Sequence, residues 1–511
     1  MAYDLTIFDD AGFEAGYLEW LTGEQWAQQQ EHFGRLWDYY QNPTVRTFSP
    51  VGDEVTGRDT VQAQETGLPP RITGRRYTST QDAAFGKKVG GVQRKEVVIE
   101  NDIAWRIGAM VDFLFGKGVS FVSRAAEASR RQAIEHILKA VFEANGGTGF
   151  FQDLAVLGSV YGFADCLVRP GERLASRLGR ASRHDVRLTS PTASAFGSVL
   201  DHAQTLALEL IEAPRALPIL EETDYRKLRY YVQHFQQPCN AVETGGPQVL
   251  SLIGSRASSR QRRIITVTEV LGPNAWQRYE NGALAAEGEN PLGFVPVVHI
   301  QNLAQPYYYE GVSDVEQLSP LQDELNTRLS DRASRITMQA FKMYLAKGLD
   351  SFSDKTISPG RLWFTDNPEA TIETFGGDGA CPSENLHIAE VREAMDKISG
   401  VTPVVAGVLK NKLGNLTSGV ALKMTFMGML TKTARKQLTY GQGLKAIAQM
   451  ALTILDKAGV YPTTPAERQV DVVFANPLPE DDTERLKEAL MKKELGVSDA
   501  TLRQELGYME K

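Results

Sequence analysis

Residues 307–332 read YYYEGVSDVEQLSPLQDELNTRLSDR, and the pattern runs on through ASRITMQAF to residue 341. Val315, Leu318, Leu321, Leu325, Leu329, Ile336 and Ala340 recur at helical spacing and form one apolar stripe. Pro320 near the start suits a first helical turn, where a missing N–H costs nothing. Charge is segregated along this helix. Glu310, Asp314, Glu316, Asp323 and Glu324 come first; Arg328, Arg332, Arg335, Lys342 and Lys347 follow. Helix-dipole preference accounts for part of that order. Arg328, Arg332 and Arg335 share one face and are free either to line a lumen or to pair with a neighbour's acids.

A second helix is expected at 384–399 (ENLHIAEVREAMDKIS). Between the two lie about 42 residues, 342–383, with short strands MYLAKG, GRLWFT and TIETF. So short an insert forces the helices side by side and projects its strands beyond one end. Exposed strand edges need a partner. A closed ring of identical subunits in head-to-tail contact removes that liability. A non-helical stretch, GVTPVVAGVLKNKLGNLTSG, follows, then a helix over about 418–458, roughly 60 Å long at 1.5 Å per residue. Gly428, Gly441 and Gly443 lie inside it and favour a kink. Its bases (Lys423, Lys432, Arg435, Lys436, Lys445, Lys457) face a single acid, Asp456, and read as a basic surface for an acidic neighbour. Met424, Met427, Leu430, Leu438, Ile447 and Ile454 read as core. A strand (QVDVVFANPLP) and a charged helical segment at 481–511 end the sequence.

Toward the N-terminus, TGEQWAQQQEHFGRLWDYYQNP predicts a helix opened by a Thr22/Gln25 capping box and closed at Asn42-Pro43. Residues 44–94, weakly periodic, read as an extended arm. Helices are expected at about 99–115, 127–144 and 149–162. From 164 to 300 the period becomes two, giving strands CLVRP, DVRLTSP, LALELIEA, LRYYVQHF, RRIITVTEVL and FVPVVHIQN. The fold class is therefore α+β.

With 511 residues the chain exceeds what a single core supports. Its 42% hydrophobic and 23% charged residues are those of a globular protein, and a net charge of −8 argues against wrapping nucleic acid on a basic surface. The three cysteines, Cys166, Cys239 and Cys381, are widely spaced and form no CxxC, so neither a disulfide framework nor a zinc site is expected. The N-terminus lacks the basic and apolar regions of a signal peptide, and no apolar run of about 18 residues exists. That predicts a cytoplasmic chain with no membrane partner. No phosphate loop, HExxH, GxSxG or EF-hand motif occurs, and the seven histidines are scattered. No catalytic residue, metal or cofactor is expected.

Five segments in order, GFVPVVHIQN (293–302), YYYEGVSDVEQLSPLQDELNTRLSDR (307–332), SGVTPVVAG (399–407), GNLTSGVALK (414–423) and FANPLPEDD (474–482), resemble the portal proteins of tailed bacteriophages. The resemblance implies a ring, usually of twelve subunits. The wing would span 1–306 plus a long helix and returning strand at 418–480. The stem would be helices 307–341 and 384–400, the clip 342–383, the tunnel loop 401–417 and a short helical crown 481–511. It also implies virion location at one capsid vertex after assembly in the host cytoplasm. The implied partners are double-stranded DNA, bound without sequence preference, the large terminase subunit and then the head–tail adaptor. Major capsid and scaffolding proteins complete the set. In the implied tunnel loop Lys410 and Lys412 would set a positive belt against DNA, with Val408, Leu409 and Asn411 beside them; otherwise they are solvated surface lysines. In the implied clip Trp363, Phe364 and Arg361 are either partner anchors or local packing. Rival readings are another capsid-associated ring, or a nucleic-acid-processing enzyme without a recognisable motif.

Overall fold

The computed structural model describes residues 3–10, 12–46, 60–73, 96–181, 193–242, 262–340, 343–347, 368–369, 371–375, 381–406, 424–478, 482–496 and 502. Val408, Leu409, Lys410, Asn411, Lys412, Arg361, Trp363 and Phe364 lie outside the described residues, as do the strand expected at 185–191 and most of the arm at 44–94.

The main helices, in chain order, are α1 (Ala15–Trp20), α2 (Trp26–Gln41), α3 (Asp102–Phe115), α4 (Ala128–Ala144), α5 (Thr148–Tyr161), α6 (Glu172–Ala181), α7 (Ala193–Ala203), α8 (Ser319–Ala340), α9 (Pro382–Ser399), α10 (Met427–Lys457) and α11 (Asp482–Glu494). The main strands are β1 (Val119–Ser123), β2 (Phe163–Pro170), β3 (Ala216–Glu221), β4 (Asp224–Val242), β5 (Arg262–Leu271), β6 (Ala275–Glu280), β7 (Ala283–Glu289), β8 (Val297–Gln301), β9 (Met343–Lys347), β10 (Thr371–Phe375) and β11 (Val470–Phe474). The mixed helix and sheet content is that of the expected α+β class. Two compact units form. One takes Met1–Met110, Val156–Leu167 and Glu209–Tyr440; the other takes Val111–Ala155, Val168–Leu208 and Gly441–Lys511.

In the first unit β7-β6-β5-β4-β3 make a five-stranded antiparallel sheet. Alternation decides its faces: Ala275, Gln277 and Tyr279 of β6 are buried and the residues between them half-buried. Asn281 and Gly282, both at positive φ, supply the tight turn from β6 to β7. Leu5, Phe8, Phe13, Leu18 and Leu21 pack on this sheet against Leu217, Tyr230, Val232 and Val270, with Phe13 stacked on Tyr230 at 4.3 Å between ring centroids.

Those buried leucines correct one expectation. The helix does not open at Thr22; it is already running at Ala15, and Thr22 sits in a π-helical turn, Leu21–Gln25, joining α1 to α2. The Thr22 hydroxyl donates to the Leu18 carbonyl at 2.8 Å instead of capping a helix start. Burial of Leu18 and Leu21 outweighs the local cap. The far end is as expected, with Asn42 in the left-handed region before Pro43.

α8 starts at Ser319 rather than Gly311, because the Ser313 hydroxyl accepts from the Val315 and Glu316 amides and closes a turn first. Its buried face is mostly polar. Gln322, Asn326 and Ser330, one per turn, are fully buried. Gln322 Nε2 donates to the Glu100 carbonyl, Asn326 Oδ1 accepts from the Glu100 amide at 3.0 Å, and Ser330 Oγ accepts from the Val98 amide at 3.0 Å. These side chains hold residues 98–100 along the helix and satisfy main-chain groups that have no strand partner. α9 packs beside α8, buries Ile388, Val391 and Met395, and stops at Gly400, in the left-handed region. Buried Arg106 seals that end, reaching the Ser399 hydroxyl (2.8 Å), the Val401 carbonyl (2.7 Å), Asp102 and Asp396. β9 and β10, in the insert between α8 and α9, pair antiparallel from Met343↔Phe375 to Lys347↔Thr371.

In the second unit β11 pairs antiparallel with β1. Phe121 stacks on Phe142 at 4.5 Å within an aromatic core that includes Phe115, Phe150 and Phe151. β1 was not expected from its sequence. α6 and α7 fall in a region whose period-two reading called for strands. Leu174 and Leu178, four apart and both buried, are the helical signal there.

Candidate functional site

The arginines expected to share a lumen face meet different fates. Arg328 Nε donates to Glu324 Oε1 at 2.7 Å, and His387 of α9 reaches the same oxygen at 2.9 Å. Burial would raise the Glu324 carboxyl, but these two hydrogen bonds prevail and lower it. The hydrogen bond to Glu324 likewise raises the Arg328 guanidinium. Arg335 pairs with Glu384 of α9. Asp331, the acid among these bases, pairs with Arg71 at 2.7 Å. Only Arg332, half-buried, has no ion pair among the described residues.

The strongest charged site lies elsewhere and was missed. Asp314, on the turn before α8, accepts from Lys436 Nζ at 2.6 Å, Lys432 Nζ at 2.7 Å and Asn302 Nδ2 at 3.1 Å. Lys436 also donates to the Ser159 hydroxyl at 2.7 Å, and Lys432 to the Ser399 carbonyl at 2.9 Å. One turn on, the Tyr440 hydroxyl donates to Asn302 Oδ1 at 2.9 Å. Residues 432, 436 and 440 thus tie one face of α10 to the start of α8 and the end of α9. Burial would push the Asp314 carboxyl up, yet two adjacent ammonium groups hold it well below the carboxylate range. For Lys436 burial prevails and lowers the ammonium, with Asp314 opposing. These two lysines were expected on an outward basic surface; Lys436 is instead fully buried. The available signal was its register. It falls on the stripe of Met429, Tyr440, Leu444 and Ile447, all buried. Gly158 makes room for this packing, because a Cβ there would overlap the Tyr440 hydroxyl.

A second polar cluster fixes the segment leading into α8. Buried Asp165 of β2 accepts from the Tyr231 hydroxyl (2.7 Å) and the Tyr309 hydroxyl (2.9 Å), and His299 Nδ1 lies 2.7 Å from it. His299 Nε2 faces the Tyr309 carbonyl at 2.7 Å, and its ring stacks on Tyr309. Burial pushes both tyrosine hydroxyls well above their ordinary value. The polar atoms of this cluster bind one another, which is the pattern of a structural staple. Among the described residues no group of three or more His, Cys, Asp or Glu is placed to hold a metal.

Three comparisons bear on this architecture. No curated protein matches the sequence. The chain is similar in fold to a solved structure described as the neck of an empty gene transfer agent particle computed with C6 symmetry, at 12% identity and TM-score 0.43, over 80% of this chain and 91% of that one. A second, described as the virion of a native gene transfer agent particle, shares 11% identity at TM-score 0.43, over 80% and 90% of the two chains. The family described as phage portal protein, SPP1 Gp6-like, matches residues 107–511. That stretch holds the Asp165 cluster, the Asp314 site, α8, α9 and α10, and it is well over half of the sequence: the chain belongs to the phage portal protein family.

Proposed function

We propose that copies of this chain form the ring at one capsid vertex through which double-stranded DNA is packaged and later released. The family is one of structural rings, not enzymes. The observation that carries the reading is the helix pair. α8 and α9 pack side by side, and the connection between them bears the β9–β10 ladder. In a ring, α8 and α9 would be the stem and residues 342–383 the clip. The clip would present Arg361, Trp363 and Phe364 to the large terminase subunit and later to the head–tail adaptor. Residues 401–417 would be the tunnel loop, between the end of α9 at Gly400 and the start of α10. Residues 1–306 and 418–480 would form the wing and 481–511 a short crown.

The charge balance supports passage rather than grip. A chain of net charge −8 repels DNA overall. A belt of Lys410 and Lys412 would offer each subunit only a weak, screened phosphate contact. Of the three arginines of α8, Arg328 and Arg335 are already paired, and Arg332 has no ion pair among the described residues. The test is the length of DNase-protected DNA in particles carrying Lys410→Glu with Lys412→Glu. Normal rings with shortened or lost genomes are expected. Full-length genomes at normal yield would remove the lysines from the DNA path, and a purified chain that forms no ring with a central hole would sink the whole reading.

A further inference from the structure

The surface of the first unit carries an aromatic knob and an apolar groove, both exposed among the described residues. Tyr17 and Trp20 of α1 stack at 5.7 Å between centroids, each 44% exposed. The same short helix is held down by Leu18 and Leu21, both buried in the core under the sheet. The two rings are therefore displayed on a rigid base, the state in which an aromatic pair loses least entropy on docking. One turn further on is Glu24, exposed and with no ion pair among the described residues. Residues 15–41 carry Glu19, Glu24, Glu31 and Asp38 against Arg35 alone, a net charge of −3 from four acids and one base.

The groove lies where the Leu303–Gln317 segment, the end of α9 and the start of α10 meet. Its volume is near 490 Å³, within the roughly 300–1,000 Å³ that accepts a large buried group. Leu303, Val312, Ile398 and Met427 make its apolar walls. Met427 and Ile398 stay 60% and 43% exposed, and Leu438 beyond them 68%. Its bases are Lys397, Lys432 and Arg435. Lys432 is bound to Asp314 and Lys397 to Glu393, which leaves Arg435 without an ion pair among the described residues.

We propose that Tyr17 and Trp20 of one copy of this chain enter the groove of the next copy, with Glu24 meeting Arg435. The inference rests on the ring reading above. An acidic helix with an aromatic knob complements an apolar groove with an unmatched guanidinium, and a second copy is the partner that brings that helix at fixed stoichiometry. Knob and groove are different patches, so the contact is head-to-tail, the kind that closes a ring. α1 lies outside the residues matched by the family, so this role is not carried over from it.

The experiment is sedimentation velocity on the full chain as a function of concentration, with melting curves as the control for folding. Trp20→Ala is expected to raise the concentration for half-assembly roughly ten-fold or more, as loss of an interface anchor does. Glu24→Arg and Arg435→Glu should each weaken assembly, and the two together should restore it. If the wild-type chain assembles and a folded Trp20→Ala variant assembles equally well, the contact is wrong and the ring reading stands. If Trp20→Ala fails to fold, the charge pair decides: recovery in the double variant supports the contact, and no recovery overturns it. A wild-type chain that stays monomeric at every concentration overturns both.

Discussion

Two charged sites in the first unit hold opposite ends of one comparison. On α8 the Arg328–Glu324 pair keeps 37% and 34% of its side chains in solvent. At the start of α8 the Lys436–Asp314 pair keeps 1% and 8%. Both have good geometry, but water changes what the geometry is worth. The exposed pair gains little over its hydrated parts. The buried pair has already lost its hydration, so removing either partner strands the other. Ion pairs that look equivalent by distance therefore have different jobs: the first tunes a surface, the second joins α10 to the segment that launches α8.

The largest break in that comparison is Asp314→Asn. It leaves Lys436 buried beside a neutral amide, at an expected cost of about 3–5 kcal/mol in chemical denaturation. Loss of under 1 kcal/mol would show that water reaches the site. Acid should produce the same failure in the wild-type chain. Asp314 titrates lower in the folded state than in the unfolded one, so its contribution is complete above the ordinary carboxylate range and disappears as pH falls through the folded value. Melting temperature should drop from roughly pH 5 toward pH 2, less steeply in Asp314→Asn; equal slopes would assign the acid sensitivity to other carboxylates. Gly158→Ala sharpens the contrast without touching a charge. Its methyl overlaps Tyr440, and about 1–3 kcal/mol of stability should be lost while Arg328 and Glu324 are undisturbed. The smallest effect is Arg328→Ala, expected at under about 1 kcal/mol and shrinking with added salt. A cost comparable to that of Asp314→Asn would mean that this face is covered in the assembled protein.

Periodicity carried much of the fold because it is a local record of which face is buried. The alternation that marked β4, β5 and β8 survives in the structure, and the expected helices α8 and α10 form, but Ile336 of the α8 stripe and Met424, Met427 and Leu438 of the α10 stripe are exposed instead of core. It failed where burial was decided by distant chain. VSFVS is five residues long and becomes β1 only because β11, more than three hundred residues later, pairs with it. Thr22 and Gln25 fit a cap, but Leu18 and Leu21 upstream had a sheet to pack on. Gln322, Asn326 and Ser330 read as the polar side of α8, and they are buried because residues 98–100 need hydrogen-bond partners.

The same division runs through the candidate site. By itself the sequence determined the succession of α8, the short insert, α9 and α10, the resemblance to portal proteins and the shared face of Arg328, Arg332 and Arg335, because each is written in residue types and spacing along one segment. Only the tertiary structure decided which charges are spent. It paired Arg328 and Arg335 within the chain, left Arg332 without an ion pair among the described residues, and turned Lys432 and Lys436 from an outward basic face into the clamp on Asp314. The physical reason is that a charge is assigned by its solvation and its nearest counter-charge, and residues 314 and 436 become neighbours only when the chain folds.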